Sequence, residues 1–372
     1  ARSGERLALN SLCGMILASY ELAQRGRAAR WLLADPTAPD ASERLVAALS
    51  GAPPSRPPIT APDSVDVIEP IARAEAERIV ERLAHSRVGI VGRPPEGFGP
   101  CSRHPEAERI ASVAVESLDI DHVLERVETI TDEQVAVSRA RVAQELANLD
   151  QMEPKATASS LRFHQALDQL RRERRWDTMA LRCWPETFEQ LGCSACTPLA
   201  LLNEDGTAAA CEADMLGAVT MLVLGWLGES RPALVDLVDV DVDDDTAVVW
   251  HCGVAPAEYA SSDAPATAGV HPNRQVPLVQ QLVMKPGRVT VARLSQSRGV
   301  VRLVVGGADA LDRPMPYLGS SGVLRFDRPT AEVLDTVVNE GLEHHLALVY
   351  GDCVAELEAV AAVLGIPTVH LG

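Results

Sequence analysis

The chain has 372 residues, enough for two or three domains, and its 47% hydrophobic content supports full cores. Its formal net charge of −18 argues against nucleic acid or an anionic membrane as a partner, because both attract basic surfaces. The eight cysteines are scattered without a disulfide framework, and no apolar run is long enough to span a bilayer. These features predict a cytoplasmic protein.

The amino-terminal segment predicts helices joined by irregular chain. Apolar spacing predicts helices over 7–26, 41–49 and 65–84, and a strand over 29–34. Between the second and third helix the run GAPPSRPPITAPDS, at 51–64, predicts a loop, because proline at this density prevents regular structure.

From residue 85 onward, strands and helices alternate. This pattern predicts a Rossmann-like parallel sheet, with strands over 87–92, 112–119, 178–183 and 207–211. After residue 228 strands follow one another without long helices between them, which predicts an antiparallel, barrel-like β domain; these strands cover 233–241, 247–252, 280–284, 288–294, 300–306 and 323–326. We therefore expect an α/β protein with domains at 1–84, 85–227 and 228–372.

One stretch, LLNEDGTAAACEADMLGAVTMLV, places two acids where a short strand opens into a helix. Glu212 and Asp214 lie one residue apart, and like charges this close repel unless a cation or donor compensates. The carboxyl end of a strand is also where α/β proteins bind ligands. The alternative is that both acids cap the helix. We favour capping for Asp214 and a metal ligand or general base for Glu212.

A second acid and a histidine pair stand in similar apolar surroundings. Asp236 lies in the most apolar part of the predicted strand ALVDLVDVD. Because successive side chains of a strand point to opposite faces, Asp236 faces away from Asp239 and Asp241. His344 and His345 precede the strand-like run LALVY. Glutamate, aspartate and one imidazole make an oxygen-rich donor set, which suits Mn²⁺, Mg²⁺ or Fe²⁺ more than a structural zinc.

The segments ACEADMLGAVTM, ALVDLVD and EHHLALVYGDCVAELEAVAAVLGIPT resemble the three metal-site segments of the L-fucose isomerase family, with arabinose isomerase as a more distant relative. The resemblance covers roughly residues 85–372. It implies that Glu212, Asp236 and His345 bind a divalent metal, usually Mn²⁺, and that Glu212 and Asp236 are the catalytic carboxylates.

The same resemblance implies a function. The family interconverts free aldoses and ketoses, such as L-fucose or L-arabinose, through an enediolate intermediate, and its members form homo-oligomers, hexamers or trimers. A sugar epimerase on the same scaffold, a non-catalytic sugar-binding or regulatory relative, and a subunit that needs a partner stay open as alternatives. Family members carry a further amino-terminal α/β domain, of which residues 1–84 are expected to be the remainder.

Four further residues are candidates for contacting the sugar. Trp184 and Glu186 follow the strand predicted over 178–183, although they could equally be a core residue and a helix cap. His251 lies in the strand-like run VVWHCGVAP. It could correspond to the second histidine ligand that arabinose isomerases carry, or it could be a histidine of the core. His344 is a candidate because it adjoins His345.

Overall fold

The computed structural model describes residues 4–7, 10–34, 37–51 and 69–371 of the chain. Apart from residue 51, the proline-rich loop predicted over 51–64 lies outside these ranges. Among the helices within them, none is both long and apolar enough to cross a membrane.

The amino-terminal helices are present, but the strand is not. Helices α1 (Ser11–Gln24), α2 (Ala41–Ser50) and α3 (Pro70–Ala84) confirm the three predicted helices, although the first begins at Ser11 and not at residue 7. Residues 8–9 of the first prediction and 65–68 of the third are not described. The strand predicted over 29–34 is wrong, because this segment pairs with no other strand of the described chain. Trp31 and Leu33 instead pack individually on the core, and Trp31 Nε1–H donates to Asn339 Oδ1 at 3.2 Å.

A four-stranded parallel sheet follows. Its order is β2–β1–β3–β4, formed by β1 (Arg87–Val91), β2 (Ala114–Leu118), β3 (Thr178–Leu181) and β4 (Ala208–Ala210). Seven helices accompany it: α4 (Pro105–Ala111), α5 (Asp121–Val127), α6 (Asp132–Glu145), α7 (Pro154–Arg174), α8 (Glu186–Glu189), α9 (Cys196–Glu204) and α10 (Met215–Leu227). The parallel α/β prediction is confirmed.

The second sheet is mixed and mostly antiparallel. Its strands are β5 (Ala233–Asp241), β6 (Thr246–His251), β7 (Thr267–Val270), β8 (Pro277–Val283), β9 (Gly287–Ser295), β10 (Arg302–Ala310), β11 (Ser320–Phe326), β12 (His345–Tyr350) and β13 (Thr368–His370). Antiparallel pairings run from β5 through β6, β11, β10, β9 and β12 back to β5, so six strands close a barrel. This confirms the barrel-like expectation. Helices α11 (Thr330–Asn339) and α12 (Val354–Leu364) precede and follow β12.

Helix α10 joins the two sheets. It packs against β3 and β4 on one side and against β9 and β12 on the other. Residues 215–224 are buried without exception, as expected of a helix that is apolar all round. The sheet changes between β4 and β5, while the domain limits at 84 and 227 stay a prediction.

Candidate active site

Glu212, Asp236 and His345 come together from both sheets. Glu212 follows β4 of the parallel sheet, whereas Asp236 on β5 lies directly opposite His345 on β12 in the barrel. His345 Nε2 is 3.4 Å from Glu212 Oε2 and 3.6 Å from Asp236 Oδ1. The three side chains are 15% (Glu212), 10% (Asp236) and 1% (His345) exposed, so the cluster is nearly sealed from bulk water.

The backbone at Glu212 is unusual. Glu212 and Ala213 adopt φ angles of 58° and 56°, a left-handed conformation that costs roughly 1–3 kcal/mol for each non-glycine residue. The turn is anchored because Ala213 N–H donates to Leu181 O, at the end of β3, at 2.9 Å. Such strain is concentrated at functional sites, where the surrounding structure holds it in place.

His344 supports Glu212 from the neighbouring position. Its Nε2 lies 3.1 Å from Glu212 Oε2, and its ring centroid is 3.9 Å from that of His345. His344 thus holds the glutamate carboxylate in place, and its own side chain is only 2% exposed.

Burial and charge separate the pKa values of the acids. Burial raises the pKa of Asp236 to about 6, since the opposing charges of His345 and His344 offset it only in part. Burial acts on Glu212 in the same way, but the hydrogen bond from His344 and the charge of His345 outweigh it and lower its pKa. Burial lowers the pKa of His345, but the Asp214 hydrogen bond and the nearby carboxylates outweigh it and raise the pKa.

The donor set fits a divalent metal. Asp236 Oδ1 and His345 Nε2 are buried and have no hydrogen-bond partner in the part of the chain that the structure describes. Buried polar atoms are normally paired, and two carboxylates buried close together are costly without a cation. Cys101, Glu212, His344 and His345 also place one potential ligand atom each within 4.8 Å of one another. Together with Glu212 Oε2, the unpaired atoms Asp236 Oδ1 and His345 Nε2 offer the hard oxygen and imidazole donors that Mn²⁺, Mg²⁺ and Fe²⁺ accept.

Asp214 has a role beyond the predicted one. Its Oδ1 accepts the N–H of Gly217 at 2.9 Å, which confirms it as the cap of α10. Its Oδ2 lies 2.8 Å from His345 Nδ1 and also forms an ion pair with Arg293. Arg293 is absent from the predicted site residues, although an arginine inside the apolar strand GRVTVARLS is a usable signal, since buried arginines are almost always paired.

An aromatic wall lies beside the cluster. Phe98, in the loop after β1, makes edge contacts with Trp184 at 5.8 Å and with His344 at 5.6 Å between ring centroids. Trp184 is therefore near the site through Phe98, which is not among the residues predicted from the sequence. Glu186 is engaged elsewhere, in a 2.8 Å ion pair with Arg182.

His251 lies near the cluster with both ring nitrogens occupied. Cys252 N–H donates to its Nδ1 at 2.8 Å, so Nε2 carries the proton and faces Cys211 Sγ at 3.0 Å. Burial lowers the pKa of His251 to about 3, and its ring centroid is 5.6 Å from that of His345. In this arrangement His251 packs beside His345 and has no nitrogen lone pair to offer a metal.

Helix α1 closes another side of the cluster. Cys13 Sγ, one oxygen of Asp236 and one nitrogen of His344 lie within 4.8 Å of one another. Burial raises the pKa of the Cys13 thiol well above its usual value, and the charges of Asp236 and Glu212 raise it further. None of the site residues predicted from the sequence lies in this helix.

The fold and the site define an α/β protein with a β-barrel and a buried carboxylate–histidine centre between its sheets. Residues 250–371 match the family model of the L-fucose isomerase C-terminal domain. A sulfoquinovose isomerase of Clostridium sp. (strain MSTE9) is 31% identical over 309 residues, which cover 82% of this chain and 69% of the relative. Those of Priestia aryabhattai and Alkalicoccus urumqiensis are each 29% identical, over 293 and 297 residues, covering 78% of this chain and 66% of each relative.

The chain belongs to the L-fucose isomerase-like family. Its match spans about two thirds of the length of these curated relatives.

Proposed function

We propose that this chain is a divalent-metal-dependent aldose–ketose isomerase that acts on a free sugar. The observation that carries the proposal is the pair of orphaned buried atoms, His345 Nε2 and Asp236 Oδ1, that lie beside Glu212 Oε2. The names of the relatives support the reaction class, because all three are sulfoquinovose isomerases.

Glu212, Asp236 and His345 would hold the metal, for which we propose Mn²⁺. When bound, the ion would supply Lewis-acid stabilisation of the negative charge that develops on the sugar oxygens at C1 and C2. The same hard donors also accept Mg²⁺ and Fe²⁺, so metal analysis has to decide among the three.

The protein groups would move the protons. One of the two carboxylates removes the C2 proton and returns it to C1, and the other exchanges a proton with the sugar hydroxyls. Positioned acid–base groups of this kind contribute about 10²–10⁴-fold to a rate. The nearly sealed cluster keeps water away from the enediolate, and His344 keeps Glu212 aligned.

Two kinds of sugar are candidate substrates. The family resemblance favours L-fucose or L-arabinose, whereas the relatives are named for sulfoquinovose, a glucose with a sulfonate at C6. Phe98 and Trp184 offer aromatic faces to the C–H surface of any of these sugars. A homo-oligomer, hexamer or trimer, and a cytoplasmic location stay proposals that rest on the resemblance and on composition.

Metal content and turnover test the proposal together. The protein is purified with Mn²⁺, and bound metal is quantified in the wild type and in Glu212→Gln, which keeps the shape of the side chain. We expect stoichiometric metal in the wild type and its loss in the variant, with ketose formed from at least one aldose in a panel of L-fucose, L-arabinose and sulfoquinovose. A wild type without bound metal would contradict the proposal.

A further inference from the structure

Asp214 uses its two carboxylate oxygens for different purposes. Oδ1 caps α10 through Gly217 N–H, whereas Oδ2 meets both His345 Nδ1 at 2.8 Å and the guanidinium of Arg293. The side chains of Asp214, Arg293 and His345 are each 1% exposed. Helix capping requires only one oxygen and no burial, so it does not account for the second oxygen or for the arginine.

The contact with Oδ2 decides which nitrogen of His345 carries the proton. A carboxylate beside an arginine only accepts hydrogen bonds, so His345 Nδ1 must donate to it. A neutral imidazole has one N–H, and Nε2 therefore presents its lone pair. Within the described chain this Nε2 has no hydrogen-bond partner, and it lies beside Glu212 and Asp236.

We infer that Asp214, held by Arg293, is a positioning residue that fixes the tautomer and orientation of His345 so that Nε2 is free to bind the metal. This inference rests on the proposed function and extends it beyond the three ligands. Metal-binding histidines commonly donate their second N–H to a carboxylate, and loss of that partner weakens metal affinity about 10–100-fold.

Gly217 makes room for this pair of charges. A Cβ atom at Gly217 would lie 2.5 Å from Asp214 Oδ2 and 2.9 Å from Arg293 Nη1. Glycine inside a helix lowers the stability of the helix by about 1 kcal/mol relative to alanine. The space that Gly217 leaves for the two charged side chains gives a structural reason for this cost. Gly225 lies in the same helix, and there a Cβ would come no closer than 3.3 Å, to Pro232 Cδ. Gly217→Ala therefore displaces the carboxylate without changing any charge or ligand, and Gly225→Ala is its matched control.

The experiment measures Mn²⁺ affinity of the metal-free protein by electron paramagnetic resonance of the free ion. We expect Asp214→Asn, which can still cap α10, and Gly217→Ala to bind Mn²⁺ about 10–100-fold more weakly than the wild type. Gly225→Ala should bind as the wild type does. Circular dichroism confirms that each variant is folded, and the two independent variants guard against failure of one to fold.

A second readout needs no metal. Nitrogen-15 shifts of the histidine ring at alkaline pH, where the ring is neutral, should report Nδ1–H for His345 in the wild type and a changed tautomer population in Asp214→Asn. Unchanged affinity together with an unchanged tautomer in Asp214→Asn would overturn the inference. A wild type that binds no Mn²⁺ would instead contradict the proposed function, and the ring shifts would still decide on the role of Asp214.

Discussion

Asp236 and His345 lie directly opposite each other on the antiparallel strands β5 and β12. Directly opposed residues have Cβ atoms about 4.5–5.5 Å apart, so their side chains meet on one face of the barrel wall. The barrel thus fixes one carboxylate and the imidazole relative to each other, and the parallel sheet adds Glu212 from across the junction. The two sheets must therefore pack in a fixed arrangement for the three groups to meet.

Asp236→Asn should weaken metal binding and stabilise the metal-free protein above about pH 6. The folded-state pKa of Asp236 is raised from 3.8 to about 6, mainly by burial. The aspartate therefore contributes stability that is present below pH 3.8 and is lost as pH rises through about 6. Asparagine removes this loss, which is on the order of 2–3 kcal/mol.

Thermal unfolding with a chelator present, recorded from pH 4.5 to 8, checks the stability part of this prediction. Asp241→Asn is the matched control, because Asp241 lies at the exposed end of the same strand and accepts hydrogen bonds that asparagine can also accept. Equal pH dependence of Asp236→Asn and the wild type would contradict the prediction.

Phe98→Ala should impair sugar binding more than metal binding. Phe98 bridges Trp184 and His344 but offers no ligand atom, so its loss opens the wall and leaves the donor set in place. Loss of an aromatic contact of about 0.5–1.5 kcal/mol, together with the buried area, predicts a KM increase of roughly tenfold. Kinetics on the best substrate, alongside a Mn²⁺ titration, check this, and a fall in metal affinity with KM unchanged would contradict it.

The sequence predicted the elements that carry the cluster, because each is a short apolar run with a charged or imidazole group within it or beside it. The order Glu212, Asp236, His345 along the chain and the family resemblance together named the three residues that the structure brings together. Neither the local periodicity nor a motif could show that Arg293 meets Asp214, since this contact joins residues 79 positions apart. Local pattern also failed at 29–34, where an apolar run has no neighbouring strand with which to pair.

Gly89→Ala should destabilise the parallel sheet, because the glycine in β1 leaves space for the indole of Trp176. A Cβ at Gly89 would lie 2.5 Å from Trp176 Cε2 and closer still to other ring atoms. Overpacking of this kind costs about 1–3 kcal/mol. Urea unfolding measures it, with Gly14→Ala in α1 as the control. Apart from the adjoining backbone of its own helix, an added Cβ there meets no atom of the described residues within 4 Å, so Gly14→Ala should be neutral or stabilise by up to about 1 kcal/mol. A Gly89→Ala protein as stable as the wild type would contradict this prediction.

Glu204→Gln should flatten the dependence of stability on pH between 4.5 and 7. Glu204 Oε1 accepts the N–H of Ala257 at 2.8 Å and the amide of Gln280 at 3.1 Å, and a glutamine oxygen can accept both. Burial raises the folded-state pKa of Glu204 from 4.5 to about 7, although the hydrogen bond from Ala257 opposes the shift. The carboxyl group therefore contributes stability that is fully present below pH 4.5 and is lost as pH rises through about 7.

Above about pH 7 the wild type then carries a buried ionised carboxylate that costs on the order of 2 kcal/mol, and the neutral amide avoids this cost. Arg141 Nη2, 3.5 Å from Glu204 Oε2, recovers part of that energy in the wild type, so the gain in the variant should be smaller than the pKa shift alone implies. Urea unfolding of the metal-free protein at pH 5 and pH 8 measures the difference. A variant that loses as much stability as the wild type between these two pH values would show that Glu204 is already ionised at pH 5 in the folded protein.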